Sequence, residues 1–156
     1  MIPFRLNQQQ FRERYRRCLD KLSSDAIAAL RTQFALPLSA GIDTADVKIF
    51  VGDDDPYVPS VWIYYVGANN KVDNADQGLF PGRSLELPLE LDTLEEFDER
   101  FFTNEKFGGL QIVAEVLKSW LAECWWKAGG WTYAVPTTLD VAEGCGDGKA
   151  LKLTER

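Results

Sequence analysis

The sequence predicts an α+β fold in one domain, with a mostly antiparallel sheet packed on a central helix. A length of 156 residues is typical of a single domain, and 46% apolar with 26% charged residues is ordinary globular composition. Helix-like and strand-like segments form separate blocks, which favours α+β over alternating α/β architecture. The longest apolar-periodic segment, residues 107–130, carries three of the five tryptophans and provides the central helix.

The predicted order of elements is α-α-β-β-β-α-α-β-β, and it begins with two helices. Asn7 can cap a helix that ends near Leu22, and the serine pair at 23–24 can begin a second helix that ends near Phe34. Arginines occupy the faces of the first helix away from its apolar stripe. We expect them to pair with the acidic middle of the chain, and binding to an acidic partner surface is the alternative.

Five segments have the composition or alternation of strands. Residues 45–52 and 60–67 predict an antiparallel hairpin, and the second of these strands has apolar residues on both faces, as central strands do. Residues 84–92 predict a third strand that lies at a sheet edge or contains a bulge, because Pro88 cannot donate to a ladder. Residues 137–155 predict a closing hairpin.

Two further helices are predicted between the third and fourth strands. Asp92 and Glu95 form a capping box that predicts a short helix through about Phe102. The central helix is predicted over about 109–128, because Gly129–Gly130 follows as a stop signal. Its core stripe consists of Leu110, Val113, Val116, Leu117, Trp120, Leu121 and Cys124.

Composition excludes several classes of protein. Histidine is absent, which removes Ser–His and Cys–His nucleophiles and histidine-based zinc sites. The three cysteines are far apart and show no CxxC spacing, so we expect reduced thiols and a cytoplasmic location. No long apolar run and no secretory leader pattern occur, so no membrane association is expected. No cofactor and no metal site are predicted.

Charge is the main indication of a partner. The net charge is −7, and residues 41–105 carry 15 acidic and 4 basic side chains. This balance disfavours nucleic acid and favours a basic protein partner. The predicted contact residues in the acidic middle are Asp53, Asp54, Asp55, Glu95, Glu96 and Glu99. The consecutive aspartates are interpreted as a turn and not as a metal site, because neighbouring side chains point in different directions.

The tryptophans near the end of the central helix are the second indication. At 100° per residue, Trp125 and Trp126 cannot both share one narrow face with Trp120. Either the end of this helix is buried on several sides, or one indole is exposed. An exposed tryptophan suits a protein interface. We therefore add Trp125 and Trp126 to the predicted contact residues.

The sequence thus predicts a non-enzymatic protein-binding module that docks on a basic partner, in profile like a bacterial immunity or antitoxin-like inhibitor. A homodimer is also compatible with the sequence. The alternative is a small-molecule-binding protein or a carboxylate-dependent enzyme with an aromatic-lined pocket. Its candidate residues are Trp62, Tyr64, Asp53 and Glu123. No motif in the chain indicates a particular reaction.

Overall fold

A computed structural model describes residues 1–38, 40–52, 58–67, 84–92, 96–142 and 145–156. The helices are α1 (Gln8–Asp20), α2 (Ser23–Ala35), α3 (Arg100–Thr103) and α4 (Gly109–Lys127), with a 3-10 turn at Gly130–Thr132. The strands are β1 (Thr44–Phe50), β2 (Ser60–Val66), β3 (Ser84–Glu86), β4 (Thr137–Val141) and β5 (Leu151–Lys152). The α+β class and the predicted order of elements are confirmed in these residues.

The strands form one mixed sheet in the order β3-β2-β1-β4-β5. The β1–β2 and β4–β5 pairs are antiparallel and β3 lies at an edge, as the sequence predicted. The β1–β4 pair is parallel, so the sheet is not purely antiparallel. The chain reaches β4 from β1 through a long connection that includes α4, and parallel neighbours require such a crossover.

One face of the sheet carries the core. In the central row, Ile63, Val47 and Leu139 are adjacent on β2, β1 and β4, and all three are buried. The neighbouring positions on β2, Trp62 and Tyr64, are only partly buried. The strand predicted to be central lies between β3 and β1, and its two faces differ in burial. The alternation of the strand sends successive side chains to opposite faces, and the described helices pack against one of them.

The helix predicted from Asp92 through about Phe102 is present only in part among the described residues. Its α-helical portion is only α3, which begins at Arg100, and Glu95 lies outside the described residues. Phe97 instead forms a parallel bridge with Ile2. The backbone groups flanking Phe97 hydrogen-bond to Ile2, so they are not available to a helix. Tertiary pairing has replaced the local helix signal.

A cluster of phenylalanines joins the N-terminal segment to α3. The Phe11 ring lies 4.8 Å from the Phe101 ring and 5.1 Å from the Phe97 ring, measured between centroids. Phe4 and Phe107 complete the cluster with edge-on contacts to Phe101. Such ring pairs stabilise a core beyond simple area burial. The cluster fixes the start of α1 beside the start of α4.

The prediction of the central helix is confirmed. Gly108 takes the left-handed conformation (φ 68°) and α4 begins at Gly109, where a Cβ would be 2.0 Å from the carbonyl oxygen of Phe101. Gly129 is also left-handed (φ 92°) and follows the last turn. The buried members of the predicted stripe are Val113, Val116, Leu117, Trp120, Leu121 and Cys124.

The arginines of α1 have a different partner from the one predicted. Arg12 pairs with Glu115 of α4 (2.7 Å), and Arg16 pairs with Glu123 of α4 and with Asp20 of α1 itself (2.9 Å), so none of these described ion pairs leads to the acidic middle of the chain. Gln8 donates to the carbonyl of Phe107 at the other end of the same contact. The physical reason is that α1 runs alongside α4 in the same direction, which brings their polar flanks together.

Replacing Trp120 tests the assignment of the inner face of α4. The indole is 1% exposed and its Nε1–H donates to Ser23 Oγ (2.9 Å). We expect Trp120→Ala to lower the free energy of unfolding by about 3–5 kcal/mol, because a large cavity replaces the ring. Urea denaturation measures this change.

Trp131→Ala is the matched control, because this indole is 46% exposed. Its effect should stay within about 0.5 kcal/mol. A loss below about 1 kcal/mol for Trp120→Ala would contradict the assignment of the core face.

Candidate protein-binding site

The predicted acidic contact residues are only partly within the described structure. Asp53, Asp54, Asp55 and Glu95 lie outside the described residues. Glu96 and Glu99 are exposed on the segment that leads into α3. Their exposure is compatible with contact to a partner.

Glu96 does not stand in a uniformly acidic environment. Burial raises the pKa of the Cys18 thiol on α1, and the nearby Glu96 carboxylate raises it further. Three cations of the same helix region oppose this effect: Lys21, Arg14 and Arg17. Charges of both signs therefore act on the Cys18 thiol, and Glu96 is one of them.

The carboxylate of Asp98, which lies between the predicted contact residues Glu96 and Glu99, forms an ion pair with Arg100 of the same chain. Its carboxylate accepts hydrogen bonds from the backbone N–H and the guanidinium of Arg100, at 2.9–3.0 Å. These bonds favour the charged form and lower the pKa of Asp98 to about 2. Asp98 is thus less available to a basic partner than Glu96 or Glu99.

The two tryptophans at the end of α4 have opposite environments. Trp125 is 0% exposed and lies edge-on between Phe34 of α2 and Tyr133. Its inclusion among the contact residues is therefore wrong, because a fully buried ring cannot touch a partner. Trp126 is 40% exposed. Successive helix positions differ by 100°, so burial of the first indole turns the second toward the surface.

Trp126 is held in a fixed position. Its Nε1–H donates to the carbonyl of Leu153 at 3.0 Å, in the segment that follows β5. The ring stands at a groove of about 510 Å³ between α4 and residues 146–151. Ala122 and Leu151 provide apolar lining beside the indole.

The far wall of this groove is tied to α4. The side-chain amide of Gln111 donates to the carbonyl of Gly146 (2.9 Å) and accepts from its N–H (3.0 Å). Lys118 Nζ lies 2.9 Å from Asp147 Oδ1 and also donates to the carbonyl of Lys149. These bonds hold the groove in its shape before a partner binds. The carboxylates that line it are paired: Glu115 and Glu123 with arginines of α1, and Asp147 with Lys118.

Trp126 and Glu96 lie in different parts of the fold, one at the groove beside residues 146–151 and the other on the segment that leads into α3. Arg12 and Arg16 lie on the flank of α1 that contacts the outer side of α4, where Glu115 and Glu123 are placed. Cys18, whose thiol pKa Glu96 raises, lies about 120–160° around the helix from these arginines. The structure therefore divides the predicted contact residues into two surfaces, one around Trp126 and one around Glu96 and Glu99.

The residues of the alternative pocket do not converge. Trp62 and Tyr64 lie on the face of β2 away from the described helices, whereas Glu123 lies on the outer side of α4 and pairs with Arg16. Asp53 lies outside the described residues. Sequence reasoning missed Gln111, Lys118 and Leu153, and no local signal marks them, because their roles depend on contacts across 27–35 positions of the chain.

The remaining questions are whether the chain offers a metal site or a membrane-spanning helix, and whether it is similar to known proteins. Within the described ranges, no group of three or more Cys, Asp or Glu side chains could hold a metal ion. No helix among the described residues has the length and apolar character needed to cross a membrane. No protein-family model matches the chain, and comparisons with curated proteins and with solved structures find no match either. The geometry above is therefore the basis for any functional proposal.

The Asp98–Arg100 pair gives a pH-dependent prediction. A carboxyl whose pKa is lowered from 3.8 to about 2 stabilises the fold above its unfolded-state pKa, and this contribution disappears as the pH falls toward 2. In Arg100→Gln we expect the pKa of Asp98 to move most of the way back to 3.8, since only the backbone donor remains. Carbon-detected NMR titration of the side-chain carboxyl measures it.

Arg100→Lys is the conservative control, because it keeps the positive charge and removes the two-pronged contact. In Arg100→Lys, the pKa of Asp98 should lie between its value in the unaltered chain and its value in Arg100→Gln. A pKa that stays near 2 in Arg100→Gln would show that the guanidinium is not responsible.

Proposed function

We infer that this protein is a non-enzymatic protein-binding module whose contact surface is centred on Trp126. The observation that carries the proposal is the exposed, hydrogen-bonded indole at the edge of a preformed groove. Tryptophan is enriched among the residues that contribute most to protein interfaces. An indole that is already fixed loses little conformational freedom when a partner covers it.

The surroundings of Trp126 fit this role. A binding hot spot needs a rigid apolar anchor with a polar rim. Ala122 and Leu151 supply apolar lining, and the ion pairs of Glu123 and Asp147 supply the rim. Because both carboxylates already have cationic partners, the groove itself contributes shape and apolar area more than charge.

The charge of the chain favours a basic partner. The net charge is −7, and the excess of acidic residues lies in residues 41–105. This range does not include the residues that line the groove. Exposed carboxylates such as Glu96 and Glu99 increase the rate of association with a basic protein. The acidic charge balance of this small α+β domain favours one form of this function, which is inhibition of a basic protein in the manner of immunity or antitoxin proteins.

The carboxylate-dependent enzyme has less support among the described residues. Its aromatic candidates, Trp62 and Tyr64, lie on β2, and its described carboxylate, Glu123, is on α4 and is paired with Arg16. A catalytic carboxylate must come within hydrogen-bond reach of the group on which it acts. The binding proposal needs no such convergence.

Affinity purification from the native source tests the proposal with three baits: the unaltered chain, Trp126→Ala and Trp131→Ala. Trp131 is the matched control, since its indole is 46% exposed but does not line the groove. We expect a partner that the unaltered chain and the Trp131 variant retain and that the Trp126 variant loses. With the purified partner, Trp126→Ala should weaken the Kd by about 30-fold or more.

Two results would contradict the proposal. One is a partner that both tryptophan variants retain with equal affinity. The other is an affinity that depends on Trp131 and not on Trp126. Equal melting temperatures for the two variants would show that loss of binding does not reflect loss of folding.

A further inference from the structure

A second concave feature lies away from the groove of Trp126. It is a cleft of about 210 Å³ between the start of α2 and residues 88–91. Its accessible lining is mixed in polarity. Six of its eight lining residues have apolar side chains: Leu22, Ala26, Pro88, Leu89, Leu91 and Trp120. Its charged lining residues in the described structure are Asp25 and Glu90, which are both exposed.

The walls of the cleft are fixed by hydrogen bonds. Trp120 Nε1–H donates to Ser23 Oγ (2.9 Å), which holds the indole against the first turn of α2. On the other side, Leu87 N–H donates to the carbonyl of Val61 (2.8 Å), so the segment before Pro88 continues along β2. Leu91 is 1% exposed and anchors the end of this segment in the core. The cleft is therefore present before any ligand binds.

Its two carboxylates differ from several others near the helices. Glu115, Glu123, Asp98 and Asp147 each pair with a lysine or arginine. Asp25 and Glu90 have no ion pair or side-chain hydrogen bond with the described residues. Like charges that line one cleft repel each other, and a cation placed between them would relieve this repulsion.

We propose that this cleft binds the side chain of a lysine or arginine from a protein partner. The methylene stem would pack on the apolar walls, and the cationic head would remain at the rim beside Asp25 and Glu90. Apolar side chains and two carboxylates in one cleft match both parts of such a side chain. The proposal rests on the proposed function. It gives Glu90, which belongs to the acidic part of the chain, a role in selecting a basic partner.

A peptide titration tests the cleft without the natural partner. The probe is the blocked peptide Gly-Gly-Lys-Gly-Gly, and the control probe carries acetyl-lysine, which keeps the stem and removes the charge. Backbone amide resonances of the isotope-labelled full chain report the position of binding. We expect saturable shifts at residues 22–26 and 89–91 with the lysine peptide, and affinity at least about five-fold weaker for the acetylated peptide.

Paired variants show whether the carboxylates of the cleft are responsible. In Asp25→Asn/Glu90→Gln the affinity for the lysine peptide should fall by about five-fold or more. Asp43→Asn/Glu105→Gln changes the net charge equally at exposed positions outside the cleft lining, and it should retain binding. Absence of shifts at these residues, equal binding of both peptides, or equal loss in both double variants would each overturn the proposal.

The same titration separates this proposal from the proposed function. Trp126→Ala leaves the cleft intact, so the lysine peptide should still shift residues 22–26 and 89–91 in that variant. If the peptide binds but no partner depends on Trp126, the proposed contact surface is wrong and the cleft assignment stands. If a partner depends on Trp126 but the peptide does not bind, the cleft assignment alone is wrong.

Discussion

The structure depends on burying α4 from several sides at once. Trp120 and Trp125 are the two largest side chains that are fully buried, and both lie on this helix. Trp120 meets the start of α2 through Ser23, and Trp125 meets its end through Phe34. The burial of two indoles is worth several kcal/mol, so the positions of α2 and of the 130–133 turn follow from their need to cover these rings.

This constraint also determines what remains on the surface. A helix has a complete turn every 3.6 residues, so once Trp125 is buried its neighbour Trp126 points outward. The 145–151 segment then packs beside α4 through Gln111 and Lys118, and Leu153 fixes the exposed indole. The proposed contact surface is thus a consequence of core packing, and a core change at Trp125 should also disturb the position of Trp126.

The parts of the fold that depend on local signals could be predicted from the sequence. The apolar stripe and the Gly129–Gly130 stop signal predicted the bounds of α4 closely. The alternation of apolar and polar residues predicted the strands. The parallel β1–β4 pair, the bridge of Phe97 with Ile2 and the pairing of Arg12 with Glu115 depend on residues far apart in the chain. For the candidate site, the sequence showed that Trp125 and Trp126 cannot both share one narrow face with Trp120. Only the tertiary contacts of Phe34, Tyr133 and Leu153 decide which indole is buried.

The most direct test of the account is site-specific photo-crosslinking at position 126. The photoreactive residue p-benzoylphenylalanine is placed at position 126, or at the equally exposed position 131 as the comparison, in the native source. The account predicts one protein that becomes covalently attached on irradiation from position 126, with little attachment from position 131. Equal attachment from both positions, or attachment from position 131 alone, would contradict the claim that the surface around Trp126 receives the partner.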